Sequence, residues 1–312
     1  MALIVAFVVT VVAAPLAALV GTRLGMVDRP GLLKVQTHPV PYLGGFALFA
    51  GLVGPVAIER PVLIVPLALS LGLGLADDIK GPPPAIRLGA EVVIGVIAAW
   101  ILPADDLLGA LVTVVLVVAL INAVNLLDGL DALASGVGLI SALGFALVLE
   151  GEFWVVALAL AGGLAGFLVW NRPPARIYLG DGGSYLVGTT LAILLAASLN
   201  DGESIAIASG AVLFVAVPLA DITIAVVRRL RARRPVFYGD RGHLYDRLVD
   251  RGWSPVVTVG ACTLAQALLV GIGVGIASLP AGLAVAVSVA FVVFVGTMLL
   301  VAFTAPGTWK TR

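Results

Sequence analysis

A chain of 312 residues that is 61% hydrophobic and only 12% charged, with a mean hydropathy of +1.15, cannot assemble a water-facing shell, because a soluble domain carries about 25% charged residues. The formal net charge of zero hides a strong asymmetry along the chain, and no nucleic-acid partner is expected. A lone cysteine, Cys262, excludes an intrachain disulfide, and two histidines, His38 and His243, cannot make a histidine-rich zinc site, so any metal must be a hard cation held by carboxylates.

Roughly 20 apolar residues are needed for a helix to cross the hydrocarbon core. Candidate spans run near 2–21, 43–58, 61–76, 88–102, 107–124, 133–149, 153–170, 184–199, 204–226, 255–278 and 281–304. Residues 2–20 lack the positive start of a secretory signal and repeat a pattern seen further along, so they read as the first span. The expected fold is an all-α, polytopic integral membrane protein of about 10–11 transmembrane helices, a single domain over 1–312. The cytoplasmic loops are expected near 22–42, 77–87, 122–132, 171–183 and 227–254. With the first of these inside, every one of the 18 basic residues except Arg60 falls on the cytoplasmic side. Short acidic loops (Asp105–Asp106, Glu150 and Glu152, Asp201 and Glu203) lie outside. That bias puts the N-terminus outside and the C-terminus inside.

Four stretches on the inner side carry ionisable or amide groups that are costly near hydrocarbon, and these are the functional candidates. Asp77-Asp78-Ile79-Lys80, running on to Arg87, sets two adjacent carboxylates at the end of an apolar span. They repel one another unless a cation lies beside them, which suits a magnesium–phosphate site or a base of raised pKa. A helix end dipping into the headgroup region with its charges solvated would leave the same pattern. Asn122, Asn125, Asp128 and Asp131 follow at steps of three and would share one helix face, able to ligate a cation and read a nucleobase edge. The alternative is hydrogen bonding between spans, which four polar groups at regular spacing make the weaker reading.

Further on, Asn171-Arg172-Pro173-Pro174 leads to Tyr178-Leu179-Gly180-Asp181-Gly182-Gly183-Ser184. Its glycines permit close backbone approach, and a helix starting at Ser184 would aim N–H groups at an anion, with Asp181 at its entrance. Metal binding and helix capping by Asp181 are equally supported. The last stretch, Arg228 to Arg251, begins as a basic run suited to anionic lipid headgroups. That account does not cover His243 among Asp240, Arg241 and Asp246, nor Asp221 at the inner end of the ninth span, which needs a partner or a cation.

In this order, the Asp-Asp pair, Asn-x-x-Asn-x-x-Asp-Gly-x-Asp, the Gly-Asp-x-Gly-Ser turn and Pro218-Leu219-Ala220-Asp221 with its Arg/His loop resemble the polyprenyl-phosphate N-acetylhexosamine-1-phosphate transferases (glycosyl transferase family 4), which include the phospho-N-acetylmuramoyl-pentapeptide transferases. The resemblance spans from Asp28-Arg29-Pro30 and Pro39 to Gly45 as far as Gly252. It implies transfer of a sugar-1-phosphate from a UDP-sugar to polyprenyl phosphate, with release of UMP, at the cytoplasmic face of the plasma (inner) membrane. It further implies a homodimer within the lipid bilayer. By the same resemblance Asp181 matches the carboxylate that holds magnesium, with manganese as a substitute, and Asp77 and Asp78 match a pair that deprotonates the lipid phosphate or steadies the metal. Asn125 and Asn171 match amides near the diphosphate, Arg87 a basic diphosphate contact, and Asp128 and Asp131 residues at the nucleotide, Asp131 near the uracil. The candidate catalytic set is therefore Asp77, Asp78, Asp128 and His243, and the candidate substrate contacts are Asn122, Asn125, Asp131, Asn171, Arg87, Lys80 and Arg241.

Two departures concern the sugar rather than the reaction. Where many relatives carry His-x-His-His, this chain reads His243-Leu244-Tyr245-Asp246, and where many have a further His, it has Gln36. Two rivals remain. A cation-coupled transporter or flippase calls for ionisable groups near mid-bilayer, where only Glu91 and Asp221 qualify, and an inactive relative calls for loss of Asp77, Asp128 or Asp181, all of which are present.

Overall fold

Runs of Ala, Leu, Val and Gly with few polar interruptions satisfy their backbone groups most simply as helices, the form that apolar surroundings demand. In the computed structural model, which describes residues 1–29, 38–102, 106–200, 204–235 and 242–304, these runs become α1 (Ala2–Leu24), α2 (Gly44–Glu59), α3 (Ile64–Lys80), α4 (Pro84–Ile101), α5 (Leu107–Leu127), α6 (Leu133–Ala146) and α7 (Gly151–Asn171). They continue as α8 (Gly180–Asn200), α9 (Ile205–Ala211), α10 (Ala216–Arg231), the short α11 (Leu244–Asp250), α12 (Pro255–Ala277) and α13 (Ala281–Thr304). Among the described residues eight helical segments are long and apolar enough to cross a membrane, and α2, α6 and α13 are three further apolar helices, so each of the eleven expected spans coincides with an apolar helix. Among the described residues the only strands are β1 (Val27–Asp28) and β2 (Val40–Pro41), paired antiparallel.

The helices run further than the apolar runs that mark them. Charge appears in the sequence at Asp77, yet α3 continues to Lys80 and stops at Gly81, whose φ of 54° ends the helix. Asp77 and Asp78 therefore sit on a helix rather than in a loop, and Arg87 lies in the first turn of α4, which opens on Pro84. In the other direction α5 ends at Leu127, so Asp128 and Asp131 leave the face expected to carry them with Asn122 and Asn125. The helix expected to begin at Ser184 begins at Gly180.

The ninth span is broken. Between α9 and α10 the chain tightens into a 3-10 turn over Val212–Val215, and Pro218 brings no N–H to the carbonyl of Phe214. Gln266 of α12 repairs the gap. Its fully buried amide donates to Leu213 O (3.1 Å) and Phe214 O (2.8 Å), and its carbonyl accepts the Val217 N–H (3.1 Å). This repair sets the direction of α10 and hence the place of Asp221.

At the centre stands α8. Within its apolar window 94% of residues are buried, against 17% for α1, which makes it the helix around which α2, α3, α5, α6 and α7 pack. Small residues along α8 allow that close approach. Inside the bundle Ser70 of α3 and Thr189 of α8 share a hydrogen bond of 2.6 Å, fixing these two helices in antiparallel register. At one end Arg60 pairs with Glu152, donates to Ile101 O at 2.7 Å and lies over the Phe153 ring, joining the ends of α2, α4 and the start of α7. The carboxylates singled out above collect at the other end.

Candidate active site

The register set by Ser70 and Thr189 propagates to the helix ends. Asp78 lies eight residues after Ser70, Asp181 eight residues before Thr189, and the two meet. Asp78 Oδ1 accepts the Asp181 N–H at 3.1 Å and Oδ2 the Gly182 N–H at 3.2 Å. The N-terminus of α8 is thus capped by a carboxylate from another helix, satisfying two N–H groups that every helix start leaves over. Gly74 makes the approach possible, since a Cβ there would run into the Asp181 carbonyl. Asp181 does not cap its own helix. Its Oδ1 accepts from Asn125 Nδ2 at 2.6 Å, and the same amide reaches Ser184 Oγ at 3.3 Å.

Asp77, one residue away, faces different partners. Its Oδ2 accepts from Arg87 Nη1 at 3.1 Å and from the hydroxyl of Tyr185, one turn into α8. Tyr185 carries no signal in the sequence, being an aromatic residue in an apolar run. Asn122, expected at the substrate, donates to Glu91 Oε2 at 2.6 Å and to Val118 O at 2.9 Å. Lys80 is exposed in the last turn of α3.

The turn after α5 is pinned by the long loop before α8. Asn171 is buried, and its Oδ1 accepts from Ala132 N and Ser135 Oγ, both at 2.9 Å, while its Nδ2 donates to Ile177 O at 3.0 Å. Asp131 Oδ2 accepts the Ala175 N–H at 2.9 Å. Both side chains hold the loop in place, a task their sequence spacing does not reveal. The loop in turn pairs with the β2 region through Tyr178 N to Pro41 O (2.8 Å) and Gly44 N to Tyr178 O (3.0 Å). The Tyr178 phenol, half-buried and beside Asp131, Asp28 and Asp128, is pushed up to about 12, first by burial and then by those charges, so it remains a donor.

Asp128 shows what the cluster does electrically. Its carboxyl is pushed up to about 8, first by enclosure among the helix ends and then by the like charges of Asp181, Asp78 and Asp131. Above this turn sits the last loop. Tyr245 of α11 donates to Leu126 O at 3.2 Å and fits against Gly129, where a Cβ would collide with the phenol. Its ring stacks on His243 with centroids 5.6 Å apart. The fully buried Asp221 finds its partner here, with His243 Nδ1 at 2.7 Å from Oδ2 and the Leu244 N–H donating to Oδ1 at 2.6 Å. Arg241 lies outside the described residues.

A hard divalent cation suits this donor set. Among the described residues no three carboxylate, histidine or cysteine side chains converge as a ready-made metal cage. Magnesium does not require one, since it takes one or two carboxylates and completes its shell with water and substrate phosphate. Asp181, with only Oδ1 engaged among the described residues, fits that description, and the mutual repulsion registered at Asp128 is what a cation would relieve.

The model of glycosyl transferase family 4 matches residues 61–199, the stretch from the start of the third span to α8 that contains Asp77, Asp128 and Asp181. A decaprenyl-phosphate N-acetylglucosaminephosphotransferase of Mycobacterium tuberculosis (strain ATCC 25618 / H37Rv) is 33% identical over 293 residues, covering 76% of this chain and 72% of its own. An undecaprenyl-phosphate alpha-N-acetylglucosaminyl 1-phosphate transferase of Thermotoga maritima is 31% identical over 255 residues, 78% of this chain and 80% of its own. A probable undecaprenyl-phosphate N-acetylglucosaminyl 1-phosphate transferase of Bacillus subtilis is 28% identical over 284 residues, 83% and 79% of the two chains. Similarity of that depth over most of both sequences, around a helix end that gathers the carboxylates, makes the chain a member of glycosyl transferase family 4.

Proposed function

We propose that this protein transfers N-acetylhexosamine-1-phosphate from a UDP-sugar to polyprenyl phosphate, giving polyprenyl-diphospho-sugar and UMP. The observation that carries this reading is the meeting of Asp77, Asp78 and Asp181 at the start of α8, with Arg87 and Asn125 against them, in a chain whose relatives are named as polyprenyl-phosphate N-acetylglucosamine phosphate transferases. An oxygen of the lipid phosphate attacks the phosphorus that bears the sugar, and the bond from that phosphorus to the UMP oxygen breaks. Asp77, held by Arg87 and Tyr185, takes the proton of the lipid phosphate. Asp78 keeps the start of α8 and therefore Asp181 in place, and Arg87 and Asn125 bind diphosphate oxygens.

Magnesium, or manganese, would be held by Asp181 with Asp77 and would supply charge neutralisation for the diphosphate, while Asp78, expected beside them as a ligand, has both oxygens on the start of α8. The bias of Lys and Arg supports a site on the cytoplasmic face of the plasma membrane. A homodimer belongs to the same reading and rests on family resemblance alone. The test is UMP release by purified protein given polyprenyl phosphate, magnesium and a panel of UDP-sugars, each repeated without lipid. Lipid- and magnesium-dependent UMP from one donor is expected, and Asp181→Asn should abolish it; a variant with near wild-type turnover removes Asp181 from the site.

A further inference from the structure

Glu91 is 1% exposed, lies inside the apolar span α4, and belongs to no motif read from the sequence. A carboxylate in such a place is costly unless it is paired and hydrogen-bonded. Its Oε2 accepts from Asn122 of α5 at 2.6 Å, and its Oε1 lies 3.6 Å from Arg87 Nε, one turn earlier on its own helix. Arg87 in turn gives Nη1 to Asp77 at 3.1 Å. The guanidinium therefore hydrogen-bonds Asp77 of α3 while its Nε edge lies within ion-pair range of Glu91 Oε1, a buried oxygen that makes no hydrogen bond and for which this cation is the compensating charge. A quarter of the Arg87 side chain remains exposed, and five N–H donors are more than these two partners consume.

We infer that Glu91 is a positioning residue. Steadied by Asn122, it holds the Arg87 guanidinium so that one edge pins Asp77 while the remaining donors meet the diphosphate of the sugar nucleotide. The role of Asn122 follows: it acts on substrate through Glu91 and Arg87. This inference rests on the function proposed above, since it needs a diphosphate ligand at Arg87.

Glu91→Gln keeps an acceptor for Asn122 and removes the charge that orients Arg87. Steady-state kinetics of the intact protein should show KM for the UDP-sugar raised about tenfold, with kcat changed less than about threefold. Arg87→Lys should raise this KM at least as much and, since it also removes the contact to Asp77, lower kcat, and Glu91→Gln/Arg87→Lys should have a KM no higher than Arg87→Lys, because Glu91 acts through Arg87. UDP binding measured by calorimetry should weaken in parallel. A merely structural Glu91 would instead lower the melting temperature and give additive losses in the double variant. Should Glu91→Gln fail to fold, Asn122→Ala, which leaves the ion pair intact but unsteadied, should raise KM alone by about threefold. Unchanged KM and UDP affinity in whichever of these variants folds overturns the inference. A wild-type protein that binds UDP yet releases no UMP from any donor fails the proposed function instead, and the UDP titrations still decide the role of Glu91.

Discussion

Asp78 of α3 caps α8 by accepting the backbone N–H of Asp181, so neighbours in the Asp-Asp pair have separate work. Asp78 spends both oxygens on the helix start, whereas Asp77 faces Arg87 and Tyr185. Asp78→Ala should therefore cost stability of about 1 kcal/mol, as loss of a helix cap does, together with activity. Asp77→Asn should reduce turnover by at least about a hundredfold with a smaller fall in melting temperature. Thermal unfolding and UMP release, measured on both variants, check the division. Equal effects on both quantities would return the two residues to a single role.

What the sequence exposed was the set of acidic stretches and the spans that carry them. What it could not expose was direction. Asn122 and Asn125 look equivalent by spacing, but three residues advance a helix by about 300°, so the two amides point about 60° apart. One therefore turns to Glu91 on α4 and the other to Asp181 on α8. Asn171 and Asp131 were visible as polar groups, yet their use in fastening the 172–179 loop depends on backbone partners that no pattern of side chains announces. Tyr185 escaped because its partner Asp77 is 108 residues away and only the antiparallel register of α3 and α8 joins them.

The pair Asp221 and His243 should behave as one unit. With Nδ1 at Asp221, the imidazole keeps Nε2 for other partners, and its orientation depends on that carboxylate. Asp221→Asn and His243→Ala should each lower turnover about tenfold or more, and the double variant should be no slower than His243→Ala. Additive losses in this cycle would separate the two residues.

Metal affinity should depend on pH through Asp128. Its carboxyl, raised to about 8, is protonated at neutral pH without a cation, and the deprotonated form is the one that favours a cation nearby. Apparent magnesium affinity should therefore tighten as pH rises from about 6 to about 8 and level off above that. Magnesium titrations across this range, followed by activity, check the trend. Asp128→Asn should flatten it, and a flat wild-type curve would detach Asp128 from the metal.

Orientation can be read chemically, because α4 carries the chain from one end of the bundle to the other. Its 18 residues span about 27 Å, from Pro84 beside the carboxylate cluster to Ile101 beside Arg60. Lys80 and Leu107, both exposed, flank α4 at its two ends. The native Cys262 is buried and is replaced by Ser to leave a silent background. In intact cells a membrane-impermeant maleimide should label Leu107→Cys and spare Lys80→Cys until the cells are lysed. The Lys and Arg bias requires that order, since Arg60 is the single basic residue of the 18 assigned to the Leu107 end. The reverse pattern would place the carboxylate cluster outside, away from any cytoplasmic nucleotide sugar, and would remove the proposed donor with it.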